Sequence, residues 1–197
     1  MPVEELAHPT AAHEHLQTDP TMAELVSQHG YLGVEPAADP FRRLLKSIVR
    51  QQVSMAAAEA TWERLTAAFE VTPAAMLAAE PAALQAVGLS EAKSEYVRSV
   101  ARVFQDRGWS RSSFEKLDNR AVMDSLTDIR GIGPWTAKMF LQFGLGREDV
   151  FPVEDLGVRR AMTELYGDET RDAMTERATT WAPYRSIGSL YLWRAQD

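Results

Sequence analysis

Two glycines in a short turn between two helical patterns are the first residues whose spacing suggests chemistry. Segment 126–138 reads Leu-Thr-Asp-Ile-Arg-Gly-Ile-Gly-Pro-Trp-Thr-Ala-Lys, with Gly131 and Gly133 in the turn and Pro134 opening the second helix. Glycine allows a positive φ and the close approach of another backbone, and proline suits the first helical position. Free N–H groups at a helix start attract anions, so this hairpin predicts a phosphate site. A plain helix–turn–helix corner would have the same pattern.

A second candidate is the acidic pair Glu154 and Asp155, which follows the short extended segment 150–153. By itself Asp155 is typical of an N-cap, because a helical pattern runs from it to Tyr166. A carboxylate fixed at a cap can also stabilise a developing positive charge. Adjacent residues at a helix start point in different directions, so only one of the two should face a substrate.

Composition excludes several kinds of chemistry. The chain of 197 residues is 45% hydrophobic and 25% charged, and it contains no cysteine. A disulfide framework, a thiolate nucleophile and a cysteine-ligated cluster are therefore excluded. All 4 histidines lie within residues 1–29, so a site built from the rest of the chain must use other groups. The run His13-Glu14-His15 could ligate a metal, but a solvated helical face is the preferred interpretation.

The net charge of −7 is concentrated at one end of the chain. Residues 1–40 hold seven acidic side chains and no lysine or arginine, so residues 41–197 carry 21 of each sign. A neutral body lacks the basic surface of a nonspecific DNA coat, but it permits a local site built from backbone donors and a few cations. No signal peptide and no run of ~20 apolar residues is found, so we expect a cytoplasmic protein.

Apolar spacing and capping signals predict an all-α fold. Asp19-Pro20, Asp39-Pro40 and Thr72-Pro73 each offer an N-cap followed by a proline at the first helical position. No convincing strand is found, and segment 150–153 is interpreted as a loop because it contains a proline. Residues 1–18 are poor in large apolar groups and are expected to form a loose acidic arm. Helices are predicted over 20–29, 40–52, 54–69, 73–79, 81–87, 90–107, 119–127, 134–143, 155–166, 170–181 and 183–194.

Four motifs follow one another along the chain, namely Gln51-Gln52-Val53-Ser54, Gly88-Leu89-Ser90 with Lys93, the hairpin 126–138 followed by 150–155, and Trp181-Ala182-Pro183-Tyr184-Arg185-Ser186 with Tyr191-Leu192-Trp193. Taken together and in this order, they resemble the helix–hairpin–helix DNA glycosylases, and within them the 3-methyladenine DNA glycosylase II branch, which excises alkylated bases. The resemblance covers roughly residues 40–197 and implies a bilobal fold with an active-site cleft that receives a base flipped out of duplex DNA. The expected glycosylase domain is 19–197, with a helical bundle over 46–143 and a second lobe of 19–45 plus 144–197.

The resemblance assigns catalysis to Asp155, which matches the position of the family's essential carboxylate. Breaking an N-glycosidic bond passes through an oxocarbenium-like sugar, which a carboxylate stabilises while it orients or deprotonates the attacking water. Relatives that also cut the strand have a lysine nucleophile where this chain has Trp135, and Lys138 does not fit that motif. The resemblance therefore implies a monofunctional glycosylase that leaves an abasic site.

The base pocket implied by the resemblance consists of Trp135, Trp193 and Met139. Electron-rich rings attract a cationic alkylated purine by stacking and cation–π contact, at ~1–2 kcal/mol per ring. Some relatives have tyrosine where this chain has Met139, which leaves the substrate range open. Unplaced tryptophans are otherwise core residues, and that is the expectation for three others: Trp62, Trp109 and Trp181. Arg185 is expected to make a buried structural pairing near Asp155.

The DNA contacts implied by the resemblance begin at Gln52, which corresponds to the residue that fills the gap left by the flipped nucleotide. Ser54 corresponds to a neighbour that reads the minor groove. Without the resemblance, these two residues would be interpreted as a helix end and a cap. Lys93 could reach a phosphate or remain solvated. The remaining expected DNA contacts lie in the hairpin, at Gly131, Gly133 and Thr136.

No cofactor is expected to be required. Family hairpins hold a monovalent cation, Na⁺ or K⁺, with main-chain carbonyls that match Thr127, Ile129 and Gly131. The expected partner is double-stranded DNA containing alkylated bases of the 3-methyladenine or 7-methylguanine type, with no membrane, and the protein is expected to be a monomer. Two alternatives stay open, namely a catalytically silent helix–hairpin–helix module that binds DNA and a monofunctional glycosylase for another lesion.

Overall fold

The computed structural model describes residues 4–196, which form thirteen α-helices, one 3₁₀ turn and one two-stranded sheet. Residues 1–3 of the predicted arm and residue 197 lie outside the described residues. The all-α class predicted from the sequence is confirmed. In chain order the elements are β1 (Glu4–Leu6), α1 (Ala11–Leu16), α2 (Pro20–His29), β2 (Tyr31–Gly33), α3 (Pro40–Arg50), α4 (Met55–Ala68), α5 (Pro73–Ala78), α6 (Pro81–Ala86), α7 (Glu91–Arg107), α8 (Arg111–Glu115), α9 (Asn119–Thr127), α10 (Pro134–Phe143), α11 (Leu156–Tyr166), α12 (Arg171–Ala178), the 3₁₀ turn (Thr179–Trp181) and α13 (Arg185–Arg194).

The three cap–proline pairs begin helices as predicted. The Oδ1 atom of Asp19 accepts hydrogen bonds from the backbone N–H groups of Thr21 and Met22, at 2.9 and 3.2 Å. Asp39 accepts from Arg42 N at the start of α3, and Thr72 from Ala75 N at the start of α5. These bonds satisfy N–H groups that a helix start would leave unpaired.

The described chain divides into two compact units. Residues 37–140 form one unit, called here the continuous unit. Residues 4–36 and 141–196 form the other, called the split unit. The sequence prediction placed residues 37–45 outside the helical bundle, whereas the structure groups them with the continuous unit. The reason is that the first turn of α3 packs on α7, where the Phe41 and Phe104 rings lie 5.2 Å apart.

An aromatic cluster forms part of the core of the continuous unit. The centroid of the Phe104 ring also lies 5.3 Å from that of Trp109, and the centroids of the Phe114 and Phe140 rings lie 5.2 Å apart. Edge-to-face pairs of this kind add to the stability gained from burial. Trp62 is 7% exposed on α4, with Arg42 above its ring at 5.2 Å. The prediction that Trp62 and Trp109 are packing residues is confirmed.

The split unit contains the sheet that the sequence analysis did not predict. Strands β1 and β2 pair antiparallel, with Glu5 opposite Leu32. Strands of three residues are too short to show an alternating pattern, so their only signal is the pairing itself. Residues 4–18 were expected to form a loose arm, but they form β1 and α1, and Leu16 is fully buried.

His13 on α1 corrects the expectation of a solvated helical face. Its side chain is 0% exposed. Its Nε2 atom lies 3.1 Å from the carbonyl oxygen of Leu32, and its Nδ1 atom accepts a hydrogen bond from Thr10 N at 2.9 Å. Because Nδ1 accepts, the proton is on Nε2, which donates to the Leu32 carbonyl. Burial lowers the pKa of His13 from its usual value.

Helix α13 is hydrogen-bonded to the backbone at strand β2. The Tyr191 hydroxyl donates to the carbonyl oxygen of Gly30 at 2.8 Å and accepts from Leu32 N at 3.1 Å. Just before α13, the buried indole of Trp181 donates to Asp19 Oδ2 at 3.1 Å, which confirms its predicted packing role. No helix in residues 4–196 has both the length and the apolar character that a bilayer crossing requires.

Candidate active site and nucleic-acid interface

The loop 144–155, which carries the predicted catalytic carboxylate, is fixed at several points. The Gln142 side chain donates from Nε2 to the carbonyl oxygen of Val150 at 3.0 Å. Ser186, at the start of α13, accepts from Val150 N at 3.0 Å and donates to the carbonyl oxygen of Arg147 at 2.6 Å. The loop is therefore tied both to the end of α10 and to the start of α13.

Arg185 makes a structural pairing in this loop, as predicted, and its partner is Asp149. Its Nε and Nη2 atoms donate to Oδ1 and Oδ2 of Asp149, at 2.6 and 2.9 Å. The guanidinium holds the pKa of the Asp149 carboxyl below its usual value through these hydrogen bonds. A two-point arginine–carboxylate pair fixes direction as well as distance, so it orients the loop. The sequence predicted a structural pairing of Arg185 but did not identify Asp149 as the partner.

Asp155 is the N-cap of α11, as its position predicted. Its Oδ1 atom accepts a hydrogen bond from Val158 N at 3.1 Å and a second from the indole Nε1 of Trp193 at 2.9 Å. The two donors come from different elements, α11 and α13, and both lie in the split unit. The half-buried carboxylate is thus held in one orientation by a backbone and a side-chain donor.

Gly157 leaves the space that this arrangement occupies. A Cβ atom at position 157 would lie 3.1 Å from Trp193 Cδ1 and 3.2 Å from Asp155 Oδ1. Both distances are tighter than nine in ten real Cβ contacts. A side chain at residue 157 would therefore push the indole or the carboxylate away by a few tenths of an ångström. The sequence analysis did not single out this glycine.

The hairpin between α9 and α10 uses its two glycines differently. Gly131 has φ of +91°, and an added Cβ would lie 2.1 Å from Cγ of Tyr96. The fold itself therefore requires glycine there. An added Cβ at Gly133 would meet no protein atom within 4 Å, so the fold has no such requirement there. The open side of Gly133 is the side on which a partner's backbone could approach.

The loop between α3 and α4 places two consecutive glutamines in opposite environments. Gln51 is half-buried, and its Nε2 atom donates to the carbonyl oxygen of Gly131 at 3.0 Å and to Thr136 Oγ1 at 2.9 Å. Gln52 is exposed and has φ of +55°, the only positive φ of a non-glycine residue within 4–196. Ser54 caps α4 by accepting from Ala57 N at 3.3 Å, which confirms the capping interpretation.

Lys93 lies in the same region of the continuous unit, with its ammonium directed at protein. Its Nζ atom donates to the carbonyl oxygen of Val49 at 2.7 Å, in the last turn of α3. A cation is favourable at a helix C-terminus, where carbonyl groups lack partners. Burial lowers the pKa of Lys93. An open groove of about 410 Å³ lies here; we call it the hairpin groove, and it is lined by Gln51, Gln52, Ser90, Ala92, Lys93, Tyr96, Gly131, Ile132 and Gly133.

The predicted base-pocket residues belong to both units. Trp135 is half-buried in the first turn of α10, and Met139, one turn later, is 2% exposed. Both belong to the continuous unit, whereas Trp193 belongs to the split unit. Within the split unit the centroids of the Trp193 and Phe143 rings lie 5.8 Å apart, and the angle between the ring planes is 39°. The structure thus brings Trp193 to Asp155, and the complete pocket stays a prediction.

The hairpin carbonyls keep the acceptor capacity that a monovalent cation would need. The Gly131 carbonyl accepts from Gln51, and the Ile129 carbonyl accepts from Ile132 N at 3.0 Å. A carbonyl oxygen has two lone pairs, so each oxygen keeps one for a cation. In the described part of the chain no three histidine or acidic side chains form a metal-binding group, the His13-Glu14-His15 run included.

Sequence reasoning missed four positioning residues, namely Gln51, Asp149, Gly157 and Ser186. Asp149 and Ser186 act through partners 36 residues away, and no local pattern marks such a pair. Gln51 stands beside Gln52 with the same side chain, so residue type cannot separate their roles. The role of Gly157 could have been predicted from the sequence, because glycine is unfavourable in a helix and its presence there suggests a packing reason.

Comparison with solved structures places the fold among proteins named as 3-methyladenine DNA glycosylases. The Schizosaccharomyces pombe 3-methyladenine DNA glycosylase, solved in complex with abasic DNA, superposes with a TM-score of 0.86 at 27% identity, over 95% of this chain and 97% of that one. A DNA-3-methyladenine glycosidase of Bacillus halodurans gives a TM-score of 0.82 at 31% identity, over 99% of this chain and 92% of that one.

Sequence comparison agrees with the structural one. A putative DNA-3-methyladenine glycosylase of Bacillus subtilis is 32% identical over 164 residues, which are 77% of this chain and 57% of that protein. The chain therefore spans little more than half of this relative's length. Residues 45–184 match the model of the HhH-GPD superfamily of base excision DNA repair proteins, where HhH denotes helix–hairpin–helix. This match confirms the resemblance drawn from the four motifs: the chain belongs to the HhH-GPD superfamily.

Proposed function

We propose that the protein is a monofunctional DNA glycosylase that hydrolyses the N-glycosidic bond of alkylated purines in duplex DNA. Its substrates are bases of the 3-methyladenine and 7-methylguanine type, and its product is an abasic site. The observation that carries the proposal is the carboxylate of Asp155, held at the start of α11 by Val158 N and Trp193 Nε1. The names of the relatives support the choice of alkylated purines.

Asp155 performs the chemistry in this proposal. An alkylated purine already carries a positive charge, so it can leave without being protonated by the enzyme. As the bond from C1′ to the base nitrogen breaks, its electron pair leaves with the base, which departs neutral. The sugar becomes oxocarbenium-like, and the carboxylate stabilises this charge. Water adds to C1′, and its proton passes to Asp155 and then to solvent.

The substrate base is recognised by aromatic and apolar side chains. We assign Trp135, Trp193 and Met139 to the base pocket, where the indole rings stack on the cationic purine. The Trp193 N–H group donates a hydrogen bond to Asp155. The ring that stacks on the base and the carboxylate that acts on the sugar therefore keep a fixed distance and orientation to each other. A neutral normal base gains less from the same rings, which favours the alkylated substrate.

DNA is bound by the continuous unit in this proposal. The hairpin glycines Gly131 and Gly133 and the backbone of Thr136 receive a phosphate at the start of α10. The Thr136 side chain is 2% exposed and bonded to Gln51, so its contribution is the backbone N–H. Gln52 enters the gap left by the flipped base. Ser54 and Lys93 are further DNA contacts in this proposal. The main-chain carbonyls of Thr127, Ile129 and Gly131 would hold a monovalent cation.

Strand cleavage is not part of the reaction, because the position of the lyase nucleophile is occupied by Trp135. An indole cannot form a Schiff base with the sugar. Borohydride should therefore trap no covalent complex between the protein and methylated duplex DNA, and a trapped adduct would overturn the monofunctional assignment. The monomeric state and the cytoplasmic location stay predictions.

Incubation with methylated duplex DNA tests the proposal. Free bases are measured by chromatography, and strand nicks are counted before and after alkali. We expect methylated purines to be released and nicks to appear only after alkali. Asp155→Asn should abolish release while DNA binding persists. Asp118→Asn is the matched control, because Asp118 is an exposed N-cap that accepts from Ala121 N at 2.8 Å in the continuous unit.

Two other outcomes would redirect the assignment. Tight DNA binding without any release would favour the catalytically silent module, or a different lesion such as uracil, hypoxanthine or an etheno base. Full activity of Asp155→Asn would move the carboxylate role to Glu154 or elsewhere. The silent module explains less of the structure, because a phosphate binder needs neither the Asp155 carboxylate nor the indole bonded to it.

A further inference from the structure

The loop 51–54 contains one residue held in an uncommon backbone conformation. Gln52 is exposed, and its backbone φ is +55°. Residues other than glycine, asparagine and aspartate rarely adopt this left-handed conformation. A residue stays in such a conformation only when its surroundings impose it. Within residues 4–196 the exposed Gln52 side chain makes no hydrogen bond of its own, so the constraint must come from its neighbours.

Gln51 supplies the constraint on one side. Its amide nitrogen donates two hydrogen bonds into the hairpin, to the Gly131 carbonyl at 3.0 Å and to Thr136 Oγ1 at 2.9 Å. These partners lie 80 and 85 residues away in sequence, on the two sides of the turn. The residue immediately before Gln52 is therefore attached to the proposed phosphate-binding hairpin.

The ends of the adjoining helices are fixed as well. Lys93 donates to the Val49 carbonyl at 2.7 Å and so holds the end of α3. Ser54 caps α4 with its side chain. With both helix ends held, the position of Gln52 depends on where the Gln51 amide is attached.

We propose that Gln51 is a positioning residue that links Gln52 to the hairpin, and that it sets the point at which Gln52 enters the duplex once the hairpin holds the backbone. This inference rests on the proposed function, in which Gln52 fills the gap of the flipped base. Gln51 itself touches no substrate in this assignment. Its link keeps a fixed spacing between two DNA contacts made by other residues. One is the contact of the hairpin with a phosphate, and the other is the contact of Gln52 in the base stack.

Loss of the link has a specific consequence. The hairpin binds phosphate through backbone groups, so its affinity for undamaged duplex does not depend on the Gln51 side chain. Gln52 without the link can return to a common backbone conformation, and it then no longer presents its side chain at the gap. Affinity for a duplex that already contains a gap should fall, whereas affinity for undamaged duplex should stay.

Fluorescence anisotropy with two duplexes tests this. One contains a tetrahydrofuran analogue of an abasic site, and the other has the same sequence without it. Gln51→Leu keeps the size of the side chain and removes the amide. We expect it to reduce the preference for the tetrahydrofuran duplex about tenfold, the size expected for two hydrogen bonds, with undamaged duplex bound within about twofold. Thr136→Val, which removes one of the two acceptors, should lower the preference by a smaller factor.

A double-mutant cycle separates this role from a merely structural one. Gln52→Ala should reduce the preference to a similar extent, and Gln51→Leu combined with Gln52→Ala should be no worse than Gln52→Ala alone, because Gln51 acts through Gln52. Gln105→Leu, at an exposed glutamine on α7, is the matched control. Thermal unfolding of every variant checks that the fold persists.

Additive losses in the double variant would overturn the proposal, as would an equal loss for both duplexes. A wild type that binds both duplexes equally would also overturn it. The proposed reaction is tested apart from this, since anisotropy requires no base release. Absence of base release with an intact preference would reject the proposed reaction and leave the link between Gln51 and Gln52 standing.

Discussion

Trp193 and Asp155 lie 38 residues apart in sequence and are joined by one hydrogen bond, from the indole Nε1 to the carboxylate Oδ1 at 2.9 Å. The oxygen that accepts this bond also caps helix α11. A single carboxylate oxygen thus connects the start of α11 with the end of α13. The residue proposed to stack on the base also aligns the residue proposed to act on the sugar.

Trp193→Phe separates these two functions, because phenylalanine keeps an aromatic ring and removes the N–H donor. A hydrogen bond to a charged group contributes ~1.5–3 kcal/mol, so we expect the single-turnover rate of 7-methylguanine release to fall about tenfold or more. Trp193→Ala should be slower still and should also weaken substrate binding. Rapid-quench assays at saturating enzyme measure both rates. A phenylalanine variant as fast as the wild type would show that the hydrogen bond is not needed.

Gly157→Ala should slow base release with only a small loss of stability. The new methyl group would lie 3.1 Å from Trp193 Cδ1 and 3.2 Å from Asp155 Oδ1, so the indole or the carboxylate must move. Alanine is the better helix former by ~1 kcal/mol, which offsets part of the strain. Urea unfolding and single-turnover kinetics on the same preparation distinguish the two effects. A variant that loses stability and activity together would indicate general disruption instead.

The two hairpin glycines should respond oppositely to alanine. Gly131→Ala places a methyl group on the Tyr96 ring at a positive φ, so the free energy of unfolding should fall by about 1–3 kcal/mol. Gly133→Ala meets no protein atom within 4 Å, so stability should be unchanged while DNA affinity falls. Urea unfolding and anisotropy with undamaged duplex give the two readouts. Normal DNA affinity in Gly133→Ala would remove this face of the hairpin from the interface.

His13 should make the protein sensitive to acid. Burial lowers the pKa of His13 below its usual value of 6.5. Well above pH 6.5 the imidazole is neutral in both the folded and unfolded chain. As the pH falls below 6.5, the unfolded chain binds a proton that the folded chain resists, so stability falls by at most about 1.4 kcal/mol per pH unit for this group.

Thermal unfolding at pH 7.5 and pH 5.5 measures this acid dependence. His13→Asn should lower stability at both values and reduce the difference between them. His8→Asn, at an exposed histidine, is the matched control and should keep the difference of the wild type. If His13→Asn retained the full difference, another group would be responsible.

The sequence predicts those parts of the fold whose cause is local. Asp19, Asp39 and Thr72 begin helices because a cap and the following proline act within a few residues. Strands β1 and β2 were missed because each exists only through pairing with the other. His13 was assigned to a solvated face because its partner, the carbonyl of Leu32, is 19 residues away and no helical pattern reveals it.

The candidate site shows the same division. Asp155 could be predicted both as a cap and, through the family motifs, as the carboxylate of interest. Its bond to Trp193, the space left by Gly157 and the attachment of Gln51 could not, because each depends on elements distant in sequence. Residue type indicates which side chains are candidates for the chemistry, whereas tertiary contacts decide how they are oriented.

The division into a continuous and a split unit has a consequence for synthesis on the ribosome. Residues 37–140 leave the ribosome as one uninterrupted stretch, and the contacts of their own unit lie within it. Residues 4–36 leave earlier, but their partners follow residues 37–140, since Leu32 bonds to Tyr191 across 159 residues and Asp19 to Trp181 across 162. Contacts between such distant segments close slowly. Residues 4–36 are therefore completed only after residues 141–196 have emerged.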